Sequence, residues 1–179
     1  MTTTFLIGDT HFSHKNIVKF TDKDGNKIRP FDSVEEHDQA LIDAINSRVG
    51  VNDKLYHLGD VCIPRRGLNL MHAIKCQNRV LIKGNHDIYK LHEYSEHFRD
   101  IRAYHVMGGE RMILSHVPVH PDSLERFKVN VHAHTHANLM LDKWGKPDIR
   151  YICVSLEHTN FAPISLDEIK TIVKERGLE

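Results

Sequence analysis

A chain of 179 residues that carries 24 Lys plus Arg against 24 Asp plus Glu has no global field to hold it on DNA or on an anionic membrane. Its three cysteines, Cys62, Cys76 and Cys153, are odd in number and lack CxxC spacing, so neither a disulfide framework nor a thiolate zinc site is indicated. No basic leader and no run of eighteen apolar residues marks a signal peptide or a membrane span, so one domain over 1–179 with no separate cap, in a reducing cytoplasm, is expected.

Thr4 to Gly8 reads as a short strand and Ser13 to Phe20 as a short helix, followed by a turn-rich stretch, "TDKDGNKIRPFD", at 21–32. Lys15, Lys19, Lys23, Lys27 and Arg29 outweigh Asp22 and Asp24 there, forming a modest basic lobe. Ser33 and Glu36 make a capping-box pattern ahead of Ala40, Leu41, Ile42, Ala44, Ile45 and Val49, whose spacing predicts an amphipathic helix. "KLYHLGD" predicts a strand ending in a turn, Leu68 to Ile74 a helix, and "RVLIKGNHD" a second strand that stops at Gly84. Such alternation implies parallel pairing with crossovers, and a working edge at the carboxyl ends of the strands. Further on, "ERMILSHVPVH", "FKVNVHAHTH" and "IRYICVSLEHT" are strand-like runs with little helix between them, and Ser165 with Glu168 caps a last helix that ends at Gly177. The pattern predicts a two-layered β core with helices outside.

Fifteen histidines raise the expectation of a metal or proton-transfer site. Five predicted strand ends share one feature. "IGDTH" ends in Asp9 and His11, "LGD" in Asp60, "KGNHD" in Asn85 and His86, "LSH" in His116, and "HAHTH" in His134 and His136. Aspartate, histidine and an amide oxygen are the ligand set of borderline divalent ions: Mn²⁺, Fe²⁺, Ni²⁺, Co²⁺ or Zn²⁺. Seven such ligands exceed one tetrahedral ion and suit two ions that share a carboxylate. Residues i and i+2 of a strand share a face, so Asp9 with His11, or His134 with His136, can converge on one centre.

These blocks, in this order, resemble the calcineurin-like metallophosphoesterases, whose pattern runs DxH, GD, GNH followed by Asp or Glu, a lone His, and GHxH. The resemblance reaches from Asp9 to His136, about seven tenths of the chain, with Ala133 in place of the usual glycine of the last block. It implies an α/β fold, a four-layer α-β-β-α sandwich of two packed mixed β-sheets flanked by helices. It also implies that Asp9, His11 and His136 bind a first ion and Asn85, His116 and His134 a second, with Asp60 bridging; Mn²⁺ is the expected metal. The implied activity is hydrolysis of phosphate esters, diesters ahead of monoesters, by attack of a metal-bridging hydroxide. His86, beside a ligand, is then the general acid, and Asp87 either supports the turn or orients a neighbour. The Ser/Thr protein phosphatase branch is a weaker match, because Ile63 stands where its second block has Asp and Asp87 where its third has Glu.

Ten histidines lie outside the set of ligands and His86. His37, His72, His92 and His97 are expected to be solvated, and His57 and His132 to be core groups or partners of ligands. His14 and His120 are candidates for the cleft wall, and Arg29 and Arg65 for a bidentate grip on phosphate. Specificity would come from 12–32 and 118–130. A phosphate ester, with a nucleotide as one option, is the expected partner, whereas long nucleic acid is not indicated. The rival reading is a metal-binding scaffold of the same fold that acts in protein–protein interaction without turnover.

Overall fold

In the computed structural model, residues 2–178 are described, and they build two mixed β-sheets packed face to face and flanked by helices. The first sheet contains β1 (Thr4–Ile7), β2 (Lys54–His57), β3 (Asn78–Ile82), β4 (Asp100–Arg102) and β9 (Ile164–Ser165), in the order β4-β3-β2-β1-β9. The second contains β5 (Tyr104–Met107), β6 (Met112–Ser115), β7 (Val129–His132) and β8 (Tyr151–Cys153), in chain order. β1 to β4 run parallel to one another, as do β6 to β8, while the edge strands β9 and β5 are antiparallel.

The period of two along each strand assigns the two faces. Leu6, Tyr56, Leu58, Val80 and Ile82 of the first sheet meet Met112, Leu114, Val129, Val131 and Ile152 of the second in one buried core. Phe5, Ile7, Leu55 and Leu81 point the other way, under helix α1 (Val34–Arg48) and the 3-10 helix Arg65–Ala73. Outside the second sheet the cover is thinner: Ile113 and Tyr151 pack against Leu124 of the 3-10 helix Pro121–Glu125, with Phe127 and Met140. Helix α2 (Leu91–Ser95) is a short turn between β3 and β4, and helix α3 (Leu166–Glu175) inserts Ile169 and Val173 into the core between the sheets.

Both predicted caps form. Ser33 Oγ accepts the Glu36 N–H at 3.0 Å, but the Glu36 carboxylate reaches one residue further out, to the Asp32 N–H at 2.8 Å. At Ser165 the box is reciprocal, with Glu168 N–H to Ser165 Oγ at 3.2 Å and Ser165 N–H to Glu168 Oε2 at 2.7 Å. Arg48 at the end of α1 pairs with that same Glu168 carboxylate at 2.7 Å, joining the two helices. The expected helices at 13–20 and 68–74 are instead a single 3-10 turn, Ile17–Lys19, and a 3-10 helix. Ser13 is left-handed at φ 61°, which prevents a helical start there, and Gly67 lies so close to the chain that a Cβ on it would sit 2.5 Å from Phe12 O.

Candidate metal centre

The carboxyl ends of six of the seven parallel strands, β1, β2, β3, β6, β7 and β8, converge on one edge of the sandwich. Past β1 and β2 the chains stay paired through Leu58 N–H to Ile7 O at 2.7 Å, Asp9 N–H to Gly59 O at 3.0 Å and His11 N–H to Asp60 O at 3.0 Å. Here the backbone leaves the pleat. Asp9, His11, Asp60, His134 and His136 are all left-handed, with φ between 47° and 70°. Each such non-glycine residue costs on the order of 1–3 kcal/mol, and strain of this kind persists where surrounding structure holds it and function needs it. Gly59, at φ 90°, has no room for a side chain: a Cβ would lie 2.6 Å from Gly84 N and 2.7 Å from His116 Nδ1. Across the sandwich, a Cβ on Gly8 would meet Ala133 Cβ at 2.5 Å, so Gly8 supplies the space that a glycine at 133 would otherwise leave.

Two clusters result, Asp9 with His11 and His136, and Asp60 with His116 and His134; in each, one donor atom per residue lies within 4.8 Å of the others. The rings of His11 and His136 stack at 5.2 Å, and those of His116 and His134 meet edge-on at 5.0 Å. Asp60 faces both clusters: its Oδ2 is 3.7 Å from His11 Nε2 and its Oδ1 3.4 Å from His116 Nε2. Asn85 joins the second cluster through its Oδ1, 2.8 Å from His116 Nε2. The shared-face argument for His134 and His136 therefore fails, because both lie beyond β7 in left-handed backbone, and they serve different clusters.

Fixed partners orient these groups. Asp9 Oδ2 accepts the His134 N–H at 2.8 Å and the Ser155 hydroxyl at 2.5 Å, which leaves Oδ1 free. His116 Nδ1 lies 2.7 Å from Leu58 O and donates to it, so that with a cation at the cluster Nε2, beside Asn85 Oδ1, would present its lone pair. Buried Asp87 accepts N–H groups from Asp60 at 2.9 Å, Val61 at 3.0 Å and Gly84 at 2.8 Å, clamping the β2 and β3 loops together. Burial pushes its pKa up, against the pull of those N–H bonds. Burial likewise raises Asp9 and lowers His11, in both cases favouring the uncharged form. For His136 burial works against the cation, but the bond to Glu157 at 3.2 Å and the charge of Asp9 outweigh it and raise its pKa. Glu157 is itself held down at about 2: burial opposes ionisation, and His136 and Arg29 overcome it.

The residues fit a pair of cations. Asp9 Oδ1 and both ring nitrogens of His11 are buried with no hydrogen-bond partner among protein atoms. A buried, unpartnered polar atom costs about 1–3 kcal/mol, and a cation against Asp9 Oδ1 and one His11 nitrogen supplies the missing partner while favouring the carboxylate over the acid. The donor set, carboxylate and imidazole with one amide oxygen, is that of a borderline divalent ion.

His86 and Asn85 are exposed at the rim. The His86 N–H donates to Asp60 Oδ1 at 2.8 Å, and its ring lies 5.6 Å from that of His11. His14 is half-buried with its ring 5.9 Å from that of His11, whereas His120 is exposed and caps the turn at 121–125 through the Asp122 N–H. The two arginines are elsewhere employed. Arg29 is completely buried and donates to Glu157 at 2.9 Å, Asp9 O at 2.6 Å and Thr10 O at 3.3 Å, with His37 Nε2 at 3.0 Å. It is an internal strut that ties the Asp9 loop to Glu157, not an exposed phosphate fork. Arg65 is exposed, 3.2 Å from Glu93 and above the Tyr89 ring, with no contact to either cluster. Of the histidines expected in solvent, His37 is fully buried between Arg29 and Asp38 and His97 is buried against His72. His57 and His132 are core groups; burial holds the first near pKa 3 and the second near 4, so both are neutral.

Ser155 and Glu157 were not anticipated. They follow the apolar run of β8 just as the other site residues follow theirs, so the signal was a sixth strand end in "ICVSLEH".

No protein-family model matches the chain. The uncharacterized protein MJ1445 of Methanocaldococcus jannaschii is 33% identical over 177 residues, which cover 96% of this chain and 91% of that protein. Among solved structures, the protein of unknown function AQ665 from Aquifex aeolicus superposes with a TM-score of 0.72 at 25% identity, over 96% of this chain and 100% of that one. A single mutant of Vps29 from Entamoeba histolytica gives a TM-score of 0.43 at 15% identity, over 84% and 72% of the two chains.

Proposed function

This chain belongs to the family of the uncharacterized Methanocaldococcus jannaschii protein, and from the chemistry of its site we propose that it is a metal-dependent phosphoesterase of the calcineurin-like type that hydrolyses phosphodiesters in preference to monoesters. The observation that carries the reading is the pair of adjacent Asp/His clusters that share Asp60, with unpartnered buried donors at Asp9 and His11.

Asp9, His11 and His136 would hold one ion and Asn85, His116 and His134 the other, with Asp60 touching both. Two divalent ions, Mn²⁺ first, supply Lewis acidity at a phosphoryl oxygen and acidify water. The chain does the rest. Glu157 and Leu58 O fix the rings of His136 and His116 so that a lone pair of each faces inward. Asp87 holds the Asp60 loop, and Arg29 holds the Asp9 loop. His86, exposed at the rim on a backbone tethered to Asp60, would hand a proton to the leaving oxygen. The preference for diesters follows from charge. Four of the five N–H groups of Arg29 are bonded inside the protein, so no fork from it meets the second negative charge of a monoester.

The test is turnover by chelator-stripped protein with and without Mn²⁺ on bis-p-nitrophenyl phosphate and p-nitrophenyl phosphate. Release of nitrophenol only with metal, faster from the diester, is the expected result. Silence with every one of the five candidate metals, two ions being bound, would replace the enzyme by a metal-bearing scaffold. Among the described residues no helix is long and apolar enough to cross a membrane.

A further inference from the structure

Beside His136 the surface opens into a cavity of about 490 Å³, within the range of roughly 300–1,000 Å³ typical of small-molecule sites. Ile17, Phe20 and Ile28 form its apolar walls, and Lys19 and Asn138 stand among them as polar groups. Phe20 is half exposed, at 48%, although it is a large apolar ring beside a polar centre. It is held there by a closed hairpin. Ile28 N–H donates to Phe20 O at 2.9 Å, Thr21 bridges Lys27, and Asp22 Oδ1 accepts the N–H groups of Asp24 and Asn26 at 2.9 Å each. Gly25, at φ 84°, takes the left-handed position of the turn. A row of rings then runs from the cavity to the metal cluster: Phe20 to His14 at 6.0 Å, and His14 to His11 at 5.9 Å.

We propose that this cavity seats the base of a nucleoside phosphate, stacked on Phe20, while its phosphate lies at the two clusters. The proposal rests on the phosphoesterase reading for the position of the phosphate. An exposed aromatic ring on a hydrogen-bonded hairpin is a stacking platform, and stacking on such a ring is tolerant of which base it receives. An alkyl chain would use the apolar walls but would leave Asn138 and Lys19 without a role. The Asn138 amide donates one N–H to Thr135 O at 3.2 Å and keeps its oxygen and second N–H for a ligand, the donor and acceptor pair that an asparagine presents to a base edge. Lys19 adds positive charge at the mouth, suited to an anionic ligand rather than to a neutral aromatic one.

Calorimetric binding to the Mn²⁺-loaded protein compares adenosine 5′-monophosphate, the product class of diester cleavage, with ribose 5-phosphate. The two carry the same phosphate, so the ratio of their affinities reads the base alone. The nucleotide is expected to bind at least about tenfold tighter. Phe20→Ala should bring that ratio close to one without changing the affinity for ribose 5-phosphate, and Phe20→Tyr should restore it. Equal affinities in the unmodified protein, or a ratio indifferent to Phe20→Ala, overturn the proposal, as does failure of both ligands to bind. A ratio that survives in a protein that hydrolyses no ester leaves the base site standing and removes the phosphoesterase reading.

Discussion

Asp60→Asn is expected to bind fewer than two ions under conditions that fill both sites of the unmodified protein, and to lose turnover by more than about a hundredfold, the upper figure for removing a mere partner of a ligand. The reason is geometric. Asp60 Oδ2 and Oδ1 lie 3.7 and 3.4 Å from the His11 and His116 nitrogens of separate clusters, so a single carboxylate contributes negative charge to both. Asparagine keeps the shape and one acceptor, and the Asp60 N–H remains clamped by Asp87, so the backbone of the loop is retained. What is lost is the charge between two cations. Metal analysis after gel filtration reads the outcome, with the circular dichroism spectrum as the check on folding. Two ions at full occupancy in the variant would remove Asp60 from the shared position.

His86→Ala should do the opposite, keeping both ions while slowing turnover by roughly 10²–10⁴-fold. His86 is exposed, and its tie to the centre runs through its backbone N–H to Asp60 Oδ1, which alanine preserves. The loss should therefore fall on proton delivery. An alkoxide leaving group needs that proton far more than p-nitrophenolate does, so the variant should be most impaired on alkyl esters. Equal impairment on both ester types would exclude His86 as the acid and leave it a role in holding substrate or in stabilising charge.

The sequence makes the site legible wherever a polar block closes an apolar run, because a buried parallel strand must end at the lip of the sheet. Asp9, His11, Asp60, Asn85, His116, His134 and His136 follow from that rule together with the family resemblance. The division of His134 from His136 does not follow from strand alternation, since nothing in "HAHTH" announces non-glycine residues at positive φ. Arg29 illustrates a second limit. An arginine in a turn-rich, basic stretch reads as solvated or phosphate-facing, yet the loop carries it into the interior, where Glu157, 128 positions away in sequence, provides its partner. Buried His37 lies beside that same arginine, its Nε2 3.0 Å from an Arg29 guanidinium nitrogen. The edge strands β4, β5 and β9 were missed because they are two to four residues long and contain no fully buried residue, leaving no apolar run to read. Helix α1 and helix α3, by contrast, are specified locally by their serine caps.

The most direct test of the dinuclear centre is anomalous diffraction from crystals soaked in Mn²⁺, collected on either side of the manganese edge. The account predicts two peaks, one among Asp9, His11 and His136 and one among Asn85, His116 and His134, with Asp60 in contact with both. A single peak, or manganese bound elsewhere with these side chains still unpartnered, would contradict it.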